Sequence, residues 1–180
     1  TEDLHFGYWP DGEKPTAQNF AFAQENHSRL IMDTIPEGSK RILDVGSGSG
    51  SLALKLLDAG YSVDCVIPSE YLAEAVKEKL DGQGKTHICK FEDLVCDENY
   101  DDIIFSESFQ YVNISASLEK VEKILNPFGY LLICDFFRLD VPEKSLMGGG
   151  HSWTEFNENM GKTKLQLISD KDITDGTAPT

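Results

Sequence analysis

Short apolar runs alternate with helix-period stretches along most of this chain, and that rhythm leaves few architectures open. Arg41–Val45 reads as a strand, Ser51–Ala59 as a helix, Tyr61–Ile67 as a strand, Glu70–Leu80 as a helix and Thr86–Phe91 as a strand. The series continues with strand Asp102–Phe105, helix Ala116–Leu125, strand Tyr130–Phe136 and a last strand at Lys164–Ile168. Such alternation predicts an α/β fold, an open and mostly parallel twisted sheet with helices on both faces. Ahead of it, Phe20, Ala23, His27, Leu30 and Ile31 fall on one face of a helix from Thr16 to about Ile35, stopped by Pro36 and Gly38. The first fifteen residues have no period and read as an ordered arm.

The feature richest in chemistry is Ile42-Leu43-Asp44-Val45-Gly46-Ser47-Gly48-Ser49-Gly50. An apolar strand runs into a turn with glycine at every second position, and a helix follows. Glycine lets a ligand approach the backbone and tolerates positive φ, while the helix start offers unpaired N–H donors. A dinucleotide fingerprint wants Gly-x-Gly-x-x-Gly, but here Gly50 comes one residue early and Ser51 fills that place, so the fit to NAD is poor.

The run resembles motif I of the class I S-adenosylmethionine-dependent methyltransferases, whose fold is Rossmann-like. The resemblance implies that Asp44, Gly46, Ser47, Gly48 and Gly50 surround the ligand's methionyl end, with S-adenosyl-L-methionine as cosubstrate and S-adenosyl-L-homocysteine as product. A carboxylate among the glycines suits an α-ammonium and a sulfonium and would repel a pyrophosphate. The likeness runs from about His5 to Phe137. It divides the single domain into an arm and lid helix (1–38), a Rossmann-like core (39–137) and an acceptor-side cover with a C-terminal strand (138–180).

Other positions follow from the same resemblance. Many relatives hold the ribose with an acid ending the second strand; Ile67 stands there instead, leaving Ser69 or Glu70 for the ribose, and Ser69 is also a natural helix cap. Glu92 and Asp93 occupy the adenine-binding turn, Asp93 being the first choice to accept from the exocyclic amine. Ser106 ends the fourth strand beneath the sulfonium. Beyond it Glu107 is placed to neutralise the acceptor or take its proton, and Gln110 and Tyr111 to orient it. The segment His5-Phe6-Gly7-Tyr8-Trp9 is similar to the His-x-Gly-Tyr-Trp arm of small-molecule enzymes, which implies that Tyr8 and Trp9 wall the sulfonium at roughly 1–2 kcal/mol of cation–π attraction. Gln24 and Asn26 are within reach of the same mouth. His151, on a loop from Val141 through Gly148-Gly149-Gly150, is a candidate for proton handling, whereas His27 and His87 read as packing residues.

Composition narrows the partners. A formal charge of −15 opposes nucleic acid and anionic lipid, and no apolar run is long enough to span a bilayer. The cysteines Cys65, Cys89, Cys96 and Cys134 show neither zinc spacing nor a disulfide framework, so a reduced, cytoplasmic setting and no metal are expected. The expected function is methyl transfer to a small molecule by in-line displacement. A noncatalytic ligand-binding or assembly subunit of the same fold is the alternative, and an NAD(P)-dependent oxidoreductase ranks third. Asp172-Ile173-Thr174 looks like a further helix start. Relatives finish with an antiparallel hairpin that this chain only begins, so a fragment or shortened variant is expected, its sheet edge exposed or covered by a second copy.

Overall fold

The computed structural model describes residues 5–10, 14–139 and 149–177. Its centre is a five-stranded sheet in the order β3-β2-β1-β4-β5, with every neighbouring pair parallel. The strands are β1 (Arg41–Val45), β2 (Ser62–Val66), β3 (Thr86–His87), β4 (Tyr100–Ser106) and β5 (Leu125–Cys134). Helices α2 (Ser51–Asp58), α3 (Glu70–Leu80) and α4 (Ile114–Ile124) make the crossovers, and α1 (Phe20–Met32) precedes the sheet.

Strand alternation explains why both faces are covered. Ile42, Val63, Cys65 and Ile104 pack with Ile31, Leu56 and Val76 from α1, α2 and α3. Their neighbours Leu43, Val45, Ile103 and Phe105 point the other way, against Leu118 and Val121 of α4 and Phe156 of α5 (Trp153–Met160). The chain winds outward from β1 to β3 and then returns to β4 on the other side of β1. That reversal opens a crevice at the carboxyl ends of β1 and β4, where open α/β sheets bind ligands.

Some segments depart from expectation. The first helix starts at Phe20 because Asn19 Oδ1 accepts from the Thr16 N–H, holding Thr16–Asn19 in a turn. β3 ends at His87, and Phe91–Asp93 form a 3-10 turn. Lys164–Ile168 is not a strand: it has no regular structure, and Leu167 and Ile168 lie exposed. A strand needs a ladder partner, and among the described residues none adjoins the outer side of β5. Phe137–Arg138 (β6) pair instead with His151–Ser152 (β7) in a small parallel ribbon, and Thr174–Thr177 form a short α6. Most of the expected cover from Val141 to His151, residues 141–148, lies outside the described residues. Among the described residues no helix is long and apolar enough to cross a membrane.

Candidate active site

The glycine turn at the end of β1 has positive φ at Gly46 (75°), Gly48 (55°) and Gly50 (78°). Gly46 has a reason the sequence does not reveal. A Cβ there would lie 2.4 Å from Ser108 Cβ, because the loop after β4 leans on the turn and Ser108 Oγ donates to the Val45 carbonyl. Gly46→Ala is expected to cost about 2–4 kcal/mol from left-handed strain and overpacking together, read as a lower urea midpoint.

Asp44 sits within this turn, buried, and its Oδ2 has no hydrogen-bond partner. Burial pushes its carboxyl up to about 7, with the Ser47 hydroxyl opposing. Asp64, buried on the adjacent strand, is the contrast. Burial pushes it up too, but Arg41 at 2.7 Å, the Lys85 N–H at 2.8 Å and Tyr100 Oη at 2.9 Å hold it below the usual carboxylate range. Asp102 Oδ2 is also unpartnered, yet it lies toward the amino end of β4, away from the crevice. A buried carboxylate at a strand's carboxyl end with an open acceptor suits a cation.

The remaining cofactor-side candidates fall around the same crevice with other duties. Ser69 caps α3, its hydroxyl accepting from the Leu72 N–H, and Ile67 is buried. Glu92 accepts from the Asn113 N–H at 2.7 Å and so braces the start of α4. Asp93 is exposed in the 3-10 turn, and Ser106 closes β4 half-buried.

A cavity of about 320 Å³ opens between α1, the ends of β4 and β5, and the segment 170–177. Glu107 lines it in a left-handed conformation (φ 53°), an uncommon state for a residue with a side chain. Its carboxylate accepts from the Phe6 N–H at 2.9 and 3.2 Å and faces His27 Nε2 at 3.5 Å. Burial, with Asp135 adding repulsion, pushes Glu107 up to about 7 against the Phe6 hydrogen bond. Asp135 accepts from the Gln110 and Phe136 N–H groups, and burial raises it as well.

Several acceptor-side candidates lie elsewhere. Trp9 is buried at 1% exposure, its indole donating to Asn19 Oδ1, so it anchors the arm and does not wall the cavity. Tyr8 packs over Gly176, and the Trp9 N–H donates to the Gly176 carbonyl. His151 is tied through Nε2 to the Phe109 carbonyl at 2.9 Å, a bond that fixes the β7 ribbon and places the ring off the cavity lining. Tyr111 is 81% exposed, and Gln110 meets Asp135 through its backbone. Gln24 and Asn26 do reach the arm, donating to the His5 and Tyr8 carbonyls. Among the lining residues that are not sequence-based candidates, His27 and Asp135 are the ones that act on Glu107. Asp135 immediately follows a parallel strand, the position where such sheets hold ligands, and that was a readable signal.

His5, His27 and Glu107 bring ligand atoms within 4.8 Å of one another, near enough to consider a metal. The two imidazoles are stacked, with centroids 4.6 Å apart and planes 27° apart. Their in-plane lone pairs therefore run side by side rather than converge, and we assign no metal to them.

The sequence matches the family model described as a methyltransferase domain over residues 43–133, just over half of the chain. The chain belongs to this family. An uncharacterized methyltransferase of Staphylococcus carnosus is 28% identical over 115 residues, covering 61% of this chain and 54% of that protein. An O-methyltransferase of Pyrenophora dematioidea is 25% identical over 92% of this chain and 65% of its own length. The chain spans about half the length of the curated relatives it matches. Among solved structures, the geranyl diphosphate C-methyltransferase of Streptomyces coelicolor, held with Mg2+, geranyl-S-thiolodiphosphate and S-adenosyl-L-homocysteine, superposes with a TM-score of 0.84 at 17% identity. That match covers 98% of this chain and 75% of that one, and establishes the shared fold.

Proposed function

We propose that this chain binds S-adenosyl-L-methionine in the crevice at the carboxyl ends of β1 and β4 and transfers its methyl group to a small molecule in the cavity beside Glu107. The unpartnered Oδ2 of Asp44 carries the reading. A buried carboxylate oxygen without a partner is costly, and the α-ammonium of the ligand supplies a partner of the right charge at that turn. The cosubstrate supplies an electrophilic methyl on a sulfonium that departs as a neutral thioether.

The protein's part is alignment and the exclusion of water, which contribute several kcal/mol, about 7–11 in the best intramolecular models. The glycine turn and Ser47 hold one reactant by backbone. The arm, tied to α1 by Gln24 and Asn26, holds the Glu107 carboxylate through the Phe6 N–H. Glu107, near neutrality and beside His27, is the group to accept a proton from the acceptor. Ser69 and Asp93 remain the proposed ribose and adenine contacts.

The test is calorimetry with S-adenosyl-L-homocysteine, followed by a melt. At a hundredfold excess over Kd, binding stabilises by about 2.7 kcal/mol, which is roughly 5–10 °C for a chain of this size. No heat and no shift with folded protein, or a response to NAD instead, overturns the proposal.

A further inference from the structure

Resting on that reading, we infer that the acceptor is a small arylalkyl amine, which enters as an ammonium and is held between Glu107 and Asp135. The cavity is lined by Glu107, Asp135, Asp170 and Asp172 against Lys171 and the imidazole of His27. Phe136 and Trp153 supply aromatic wall to the same space. Acids with apolar rings form a site for a cation with a flat apolar body, and they repel an anion such as the diphosphate bound by the Streptomyces enzyme. At about 320 Å³ the cavity is at the small end of ligand sites and suits a single or fused ring with a short chain.

The two inner carboxylates are built into place. Asp135 is fixed by the Gln110 and Phe136 N–H groups and Glu107 by that of Phe6, so neither swings out to solvent to escape the other. Burial raises both, and the Asp135 charge adds to the rise at Glu107. A cation between them relieves that repulsion and desolvation together. The chemistry then balances: the ammonium gives one proton to Glu107, and the freed nitrogen pair forms the N–C bond. The C–S bond breaks with its electrons left on sulfur, the product leaves as a methylated ammonium, and the proton held by Glu107 passes to water.

The test uses one ring with three charges, titrating tryptamine, tryptophol and indole-3-acetate into the chain saturated with S-adenosyl-L-homocysteine. Tryptamine is expected to bind at least tenfold more tightly than tryptophol, with indole-3-acetate weakest. Asp135→Asn should bring tryptamine and tryptophol within threefold of each other. Asp170→Asn, at an exposed position, should weaken tryptamine two- to fivefold while leaving tryptophol unchanged. Equal or reversed affinities across the series, with S-adenosyl-L-homocysteine bound normally, overturn the amine assignment alone. Failure of S-adenosyl-L-homocysteine to bind in the first titration overturns the underlying function instead.

Discussion

Asp44→Asn should raise the melting temperature of the ligand-free protein and at the same time weaken S-adenosyl-L-homocysteine binding by roughly 10²–10³-fold. The two effects have one cause. In the folded chain burial lifts the Asp44 carboxyl from 3.8 to about 7, and at ~1.4 kcal/mol per decade of proton affinity that costs roughly 4 kcal/mol above neutrality. The sign follows from the raised folded value. Between pH 4 and 7 the native state keeps a proton that the unfolded state has released, so stability falls as pH rises and levels off above 7. Asparagine removes the charge but still buries an amide, recovering about 1–2 kcal/mol, or roughly 2–8 °C at pH 8. A variant that melts lower, or that binds within tenfold of the parent, would exclude Asp44 as the cation's partner.

Glu107→Gln should lower kcat by about 10²–10⁴-fold, the range expected when a positioned proton acceptor is lost. The parent's kcat/KM should climb with pH to an inflection near 7 and then flatten, because only the carboxylate accepts the proton. Other titratable groups face it. His27 lies at 3.5 Å from α1 and stacks on His5 of the arm, Asp135 follows β5, and Cys134 Sγ sits 3.5 Å from His27 Nε2. The glutamine variant separates them: with Glu107 responsible, the inflection disappears along with the rate. A rate within threefold of the parent and an unchanged inflection would move the proton's destination to another of these groups.

What could be read from the sequence was local. Each crossover helix and each inner strand carries its own period, so Glu70–Leu80 emerged with its observed ends and β1 likewise. The glycine turn is legible as a turn, but the sequence does not show that Gly46 also meets Ser108, sixty-two residues on. No local pattern carries such a contact. Lys164–Ile168 shows the same limit from the other side, since its apolar alternation is real but a strand exists only where another chain segment supplies the ladder. His27 was read as packing because it lies on the apolar stripe of α1; the stripe does face inward, and at that turn of the helix inward means Glu107. Trp9 runs in the opposite direction: the sequence shows an aromatic in the arm but not that its bulk and indole N–H are satisfied beside Phe20 and Asn19.

The clasp between Trp9 and Gly176 joins two strips of chain that the whole core separates, with Tyr8 lying over a glycine too cramped for a methyl. Neither strip can lift away without breaking that hydrogen bond. A side chain introduced at position 176 would therefore unseat the aromatic arm as well as the helix that carries it, two distant stretches disturbed by one substitution.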